Sequence, residues 1–151
     1  MTLAVCLGIM GAIFLGDLLV KNYIERTGVE GGTRELLRGK ILLKKYHNRG
    51  MMLNLGQRKR QVVAGISLMI VVIALPLFVI TLGQRGNPLL RVGFSLLLGG
   101  AFSNTYDRLC RKYVVDYLSF GVRWKWFRKI VFNLSDFCII IGAIMITLGA
   151  M

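Results

Sequence analysis

The chain has only four aspartates, Asp17, Asp107, Asp116 and Asp136, and each falls inside or at the edge of an apolar run. A carboxylate in such a run costs at least a few kcal/mol in a membrane, so each needs a partner or a task. Asn104 and Asp107 are spaced i, i+3, as are Asn133 and Asp136, which puts an amide and a carboxylate on one helix face in each case. Arg108 follows directly and has the fork geometry to bind a carboxylate or hold a substrate carbonyl. Asp17 and Lys21, at i, i+4, are close enough to pair, and an ion pair easing a helix end into the interface needs no catalytic role. A serine or cysteine nucleophile is disfavoured, because none has a His or Lys partner at a recognisable spacing. The single histidine, His47, is assigned no chemistry. Cys6, Cys110 and Cys138 have no metal-type spacing and read as small hydrophobes, not as a disulfide framework.

These residues must be positioned by a lipid-embedded scaffold. Of 151 residues, 55% are hydrophobic, too many for a soluble domain that must cover its surface with charge. Four apolar runs, at about 3–24, 62–82, 89–106 and 130–150, predict a mostly α, four-transmembrane-helix bundle forming one membrane domain over 1–151. Pro76 is tolerable in the second run, and Gly93, Gly99, Gly100 and Ala101 give the third a surface for close packing. The first run follows no basic n-region and reads as a retained anchor; Val5 before Cys6 argues against a lipobox. Two long loops, 25–61 and 107–129, lie on one side, with all four aspartates nearby. The first mixes apolar and basic residues over 35–46 in a way that predicts a small β-rich interfacial unit between helices 1 and 2. In the second, Trp124, Trp126 and Phe127 alternate with basic residues, as in an interfacial anchor.

The net charge of +13 sits in these loops, where anionic headgroups are the nearest partners; this pattern argues for membrane lipids and against nucleic acid. The positive-inside rule would place both loops in the cytoplasm.

The run GGAFSNTYDR at 99–108, then VVDY at 114–117 and FNLSD at 132–136, with GDLLVK at 16–21 and HNRGM at 47–51, resembles the motif series of the signal peptidase II family over essentially the whole chain. That resemblance implies a bacterial aspartyl endopeptidase that needs no metal or cofactor. It would remove signal peptides from prolipoproteins carrying a diacylglyceryl cysteine, as a monomer in the cytoplasmic membrane with its site on the outer side. Topology is set by substrate access, so the expectation follows the family and not the charge bias. By position, Asp116 and Asp136 would form the catalytic dyad, with Asn48, Asn104, Arg108 and Asn133 lining the site. Asp17, Lys21, Gly50 and Asp107 would support it.

Three places depart from the family pattern. Met51 and Met52 stand where small residues are usual, Ser103 where glycine is usual, and Ser135 where alanine is usual. The methionines raise the alternative of a relative that binds lipidated precursors without cutting. Retention of two costly carboxylates argues against it. A small transporter or channel subunit is the other alternative, but its polar residues would be spread through the membrane depth, and here the second run is bare.

Overall fold

The computed structural model describes residues 2–28, 32–50, 60–83, 87–124 and 126–151. The apolar runs form α1 (Leu3–Thr27), α2 (Arg60–Gly83), α3 (Pro88–Tyr106) and α4 (Leu134–Ala150). A five-residue π-helix, Asp107–Arg111, continues α3. Strands β1 (Thr33–Leu36), β2 (Ile41–Asn48) and β3 (Val114–Phe120) make one antiparallel sheet in the order β1-β2-β3. The β-rich unit expected between the first two helices therefore takes its third strand from the second long loop. A two-stranded hairpin is marginal by itself, and β3 completes it.

Helices α1 and α2 have 25 and 24 residues and are long and apolar enough to cross a membrane. At 1.5 Å per residue each extends over roughly 36 Å, against a hydrocarbon core of about 30 Å. Little of either is covered by protein: 17% and 22% of their apolar windows are buried. Leu15 and Leu19 on α1, and Val72, Ile73 and Ile80 on α2, face outward and require lipid cover. The protein is thus a membrane protein with at least two spanning helices. Helix α4 is also apolar but has 17 residues. It begins at Leu134, not at 130 as expected, because 130–133 is diverted into strand-like pairing. The Phe132 N–H donates to the Leu118 carbonyl at 2.7 Å, and the Leu118 N–H donates back at 2.8 Å. Asn133 then starts the helix with a reciprocal cap, its Oδ1 accepting the Asp136 N–H at 3.0 Å while Asp136 Oδ2 accepts the Asn133 N–H at 2.9 Å.

Helix α3 is central, packing against α1, α2 and α4. Its small residues let backbones meet. A Cβ on Gly142 of α4 would lie 2.6 Å from the Gly93 carbonyl oxygen, and one on Gly100 would lie 2.6 Å from that of Ser135. Cys6, Met10, Ala74, Phe78, Phe94 and Leu98 fill the space among α1, α2 and α3. A second cluster, Ile24, Val115 and Tyr117, fastens the end of α1 to β3.

Gly142→Ala should therefore lower stability by about 1–3 kcal/mol through overpacking. Gly11→Ala, which meets nothing within 4 Å, should be neutral or slightly stabilising. Thermal unfolding of both variants in detergent checks the contrast.

Candidate active site

Asp116 reaches the site from β3. Tyr46 pairs with Asp116 and Asn48 with Val114, so strand alternation puts Asn48 diagonal to Asp116 on one face of the sheet. The Asn48 Nδ2 donates to Asp116 Oδ2 at 2.9 Å, and the Asn133 Nδ2 donates to Asp116 Oδ1 at 2.7 Å. Asp136 enters from the first turn of α4. Its Oδ1 accepts from Asn104 Nδ2 at 3.0 Å and its Oδ2 from the Asn133 backbone. Asn133 thus holds both carboxylates, one by side chain and one by main chain. Its Nδ2 also donates to Asn104 Oδ1 at 3.2 Å, tying the α3 and α4 asparagines together. Every carboxylate oxygen has a donor, which is what allows two such groups to be buried side by side.

Burial first, and the neighbouring Asp136 carboxylate second, push the Asp116 carboxyl up to about 7; the Asn48 and Asn133 amides oppose this. Both aspartates face one cavity of about 450 Å³, with Asn48, Asn104 and Arg108 on its polar side and Ile130, Phe132, Ile139 and Ile140 among its apolar walls. Among the described residues Arg108 bonds no carboxylate directly. It donates to the carbonyl oxygens of Asn104 and Gly50, each at 3.3 Å, while its buried Nε has no hydrogen-bond partner among the described residues. Burial lowers its pKa, and the charges of Asp116, Asp136 and Asp107 pull it back up.

The expected supporting residues form a second layer against the first. Lys21 is fully buried, 2.7 Å from Asp17 and 3.0 Å from Asp107. It also donates to Ser103 Oγ at 3.1 Å and to Asn104 Oδ1 at 2.9 Å. Asp17 is therefore more than an interfacial ion pair: Lys21 links it to the amide that contacts Asp136. The two serine departures converge on it as well. Ser103 Oγ and Ser135 Oγ both donate to Asp17 Oδ2, at 2.7 and 2.6 Å. Gly50 offers its carbonyl to Arg108 and its N–H to Asn48 Oδ1 at 3.0 Å. Met51 and Met52 lie outside the described residues.

Two participants had escaped sequence reading. The Tyr117 hydroxyl donates to Asp17 Oδ1 at 3.0 Å and accepts the Leu134 N–H at 2.9 Å, bracing the start of α4. Burial and the Asp17 charge push its phenol well up, so it stays a donor. Arg111 supports Asp107 at 3.2 Å from the other side. Strand alternation over 114–120 was the available signal for Tyr117. Arg111 needed the π-helix, which no periodicity announces. His47 binds Glu25 Oε1 at 2.7 Å and stacks on Tyr113, fastening β2 to α1.

The profile of the family described as signal peptidase (SPase) II matches residues 9–151. A lipoprotein signal peptidase from Moorella thermoacetica is 38% identical over 100 residues, covering 66% of this chain and 61% of the relative. One from Clostridium acetobutylicum is 30% identical over 130 residues, covering 86% and 71%. The fold matches a bacterial membrane enzyme solved by the in meso method at 2.3 Å, with a TM-score of 0.81 at 22% identity over 98% of this chain and 88% of that one. With a profile that runs through both aspartate motifs and nearly to each end, this chain belongs to the signal peptidase II family.

Proposed function

We propose that the protein is an aspartyl endopeptidase that cuts the signal peptide from diacylglyceryl-modified prolipoproteins, with Asp116 and Asp136 as the dyad. The observation that carries this reading is the pair itself: two carboxylates from different elements, bridged by Asn133, facing one mainly apolar cavity with a polar side. In this reading the chain is a single membrane domain with all four helices spanning, and both long loops lie on the outer face of the cytoplasmic membrane.

Neighbouring carboxylates cannot both ionise cheaply, so the pair holds one proton and titrates jointly. The ionised member takes a proton from a water as its oxygen attacks the scissile carbonyl carbon. The resulting oxyanion needs a donor, for which Arg108 and the asparagine amides are at hand. The protonated member then gives its proton to the leaving amide nitrogen, and the C–N bond breaks. The apolar wall from Ile130 to Ile140 suits a lipidated substrate arriving sideways from the bilayer, and the names of the relatives support the substrate class.

The test is cleavage of a diacylglyceryl prolipoprotein by the purified protein in detergent, read as a gel shift. Asp116→Asn and Asp136→Asn should each reduce the rate at least ~100-fold while the protein stays folded. An uncut precursor with well-folded wild type, or an active Asn variant, overturns the dyad. Arg108→Ala should lower kcat/KM by about 10- to 100-fold, the worth of one charge-assisted bond. Because Asp116 is pushed up to about 7, the singly protonated pair is lost as pH rises past that value. The cleavage rate should then fall about tenfold per pH unit above about 7, and a rate that is level from neutral to alkaline pH would count against the shared proton of the pair.

A further inference from the structure

The connection between β3 and α4 carries the chain's only two tryptophans, Trp124 and Trp126, and they are 78% and 61% exposed. An indole has a large, mostly apolar surface with one polar tip, and it rarely stands in water without something to cover it. This connection is not loose chain. The N–H groups of Arg128, Lys129 and Ile130 donate to the carbonyls of Trp124, Trp126 and Phe127, each at 3.1 Å. The Arg128 carbonyl accepts from Ser119 Oγ at 2.9 Å and from Lys44 Nζ at 3.2 Å, which ties the turn to β3 and β2. Phe127 packs on Phe120 and Phe132, with ring centroids 6.0 and 6.1 Å away. The turn is thus fastened to the protein while both indoles are left uncovered.

Its charge narrows the choice of what covers them. Four basic residues and no acid stand between Asp116 and Asp136 in the sequence. Arg123, Arg128 and Lys129 are exposed, and none forms an ion pair with a carboxylate among the described residues. Exposed indoles among such cations match a layer that is anionic above and apolar beneath, which is the headgroup level of a bilayer. An acidic groove on another protein offers the charge as well. Only residues 130–133, however, separate this turn from α4, whose Ile140, Ile141, Ile144 and Leu148 face outward as the apolar residues of α1 and α2 do. Lipid is therefore the neighbour already at hand. We infer that the turn bearing Trp124 and Trp126 seats in the headgroup layer of an anionic membrane. Lys129, Ile130 and Phe132, directly after it, line the cavity that Asp116 and Asp136 face, so seating the turn holds that wall at the same depth.

The experiment reconstitutes the full chain in phospholipid nanodiscs and reads tryptophan emission, which reports this turn alone. Bromines on the upper part of the acyl chains should quench it at least ~2-fold more than bromines near the chain ends, with weak quenching by acrylamide from the water. Mixing phosphatidylglycerol into phosphatidylcholine should lower the acrylamide quenching by a further factor of about 2. The double variant Arg123→Gln, Arg128→Gln should lose that lipid dependence. Arg34→Gln, Arg38→Gln removes the same charge from exposed positions on β1 and the following turn and should keep it. Free quenching by acrylamide with none by bromine would put the indoles in water, leave the surface to a protein partner and overturn the inference. Strongest quenching from the chain ends, no response to phosphatidylglycerol, or equal loss in both double variants would overturn it too. Emission is read without substrate, so no outcome depends on whether the protein cuts prolipoproteins.

Discussion

The ammonium of Lys21, sealed completely within protein, is the charge on which the arrangement of the helices depends. An isolated charge of that size is very costly to bury, and even a paired one loses several kcal/mol of hydration unless its partners are well placed. Here Asp17, Asp107, Ser103 and Asn104 enclose it at 2.7 to 3.1 Å. These come from α1, from α3 and from the π-helix, so the register of α1 on α3 has little freedom. Two carboxylates outweigh one ammonium, and Arg111 supplies the second positive charge from the solvent side. The same ammonium occupies the carbonyl end of the Asn104 amide. The amide's NH₂ end must then face Asp136, and a structural ion cluster thereby sets the direction of a hydrogen bond in the proposed active site.

Much of this was readable in the chain because membranes punish misplaced charge so strongly. Four aspartates near apolar runs could not all be surface decoration, and the i, i+3 spacing of Asn133 and Asp136 already put an amide beside a carboxylate, though the structure makes that pair the helix cap and not one face of a helix starting at 130. What remained hidden depended on contacts between distant segments. That 130–133 would extend to pair with Leu118 could not be inferred from an apolar run, since a buried strand and a buried helix look alike over so few residues. The same ambiguity concealed β3 and with it Tyr117. Ser103 and Ser135 were visible as departures, but their meeting on one oxygen of Asp17 requires α3 and α4 to be set against α1 at backbone contact.

The asparagines explain how two acids coexist where water is scarce. An amide donates without bringing a charge, so it satisfies a carboxylate oxygen without neutralising it. Asn48, Asn104 and Asn133 do this for Asp116 and Asp136, which leaves room for the single shared proton that the proposed dyad requires. A lysine in any of those places would hold the neighbouring acid ionised and abolish the asymmetry that acid–base chemistry needs. The arrangement therefore separates its cations from its acids: Lys21 stands behind the amides, and Arg108 bonds backbone carbonyls instead of either dyad aspartate.

The sheet that joins both long loops also orders events during synthesis. A chain made from its amino terminus produces α1, the β1–β2 hairpin and α2 long before β3 and α4 exist. Asp17 waits through 118 further residues for Ser135, and Asn48 through 68 for Asp116. Until the first turn of α4 is made, Asp116 has neither its bridging Asn133 nor the neighbouring Asp136. With the pair as the proposed dyad, a hydrolase that must sit among other membrane proteins is inert while half-made, and its chemistry waits for the last part of the chain.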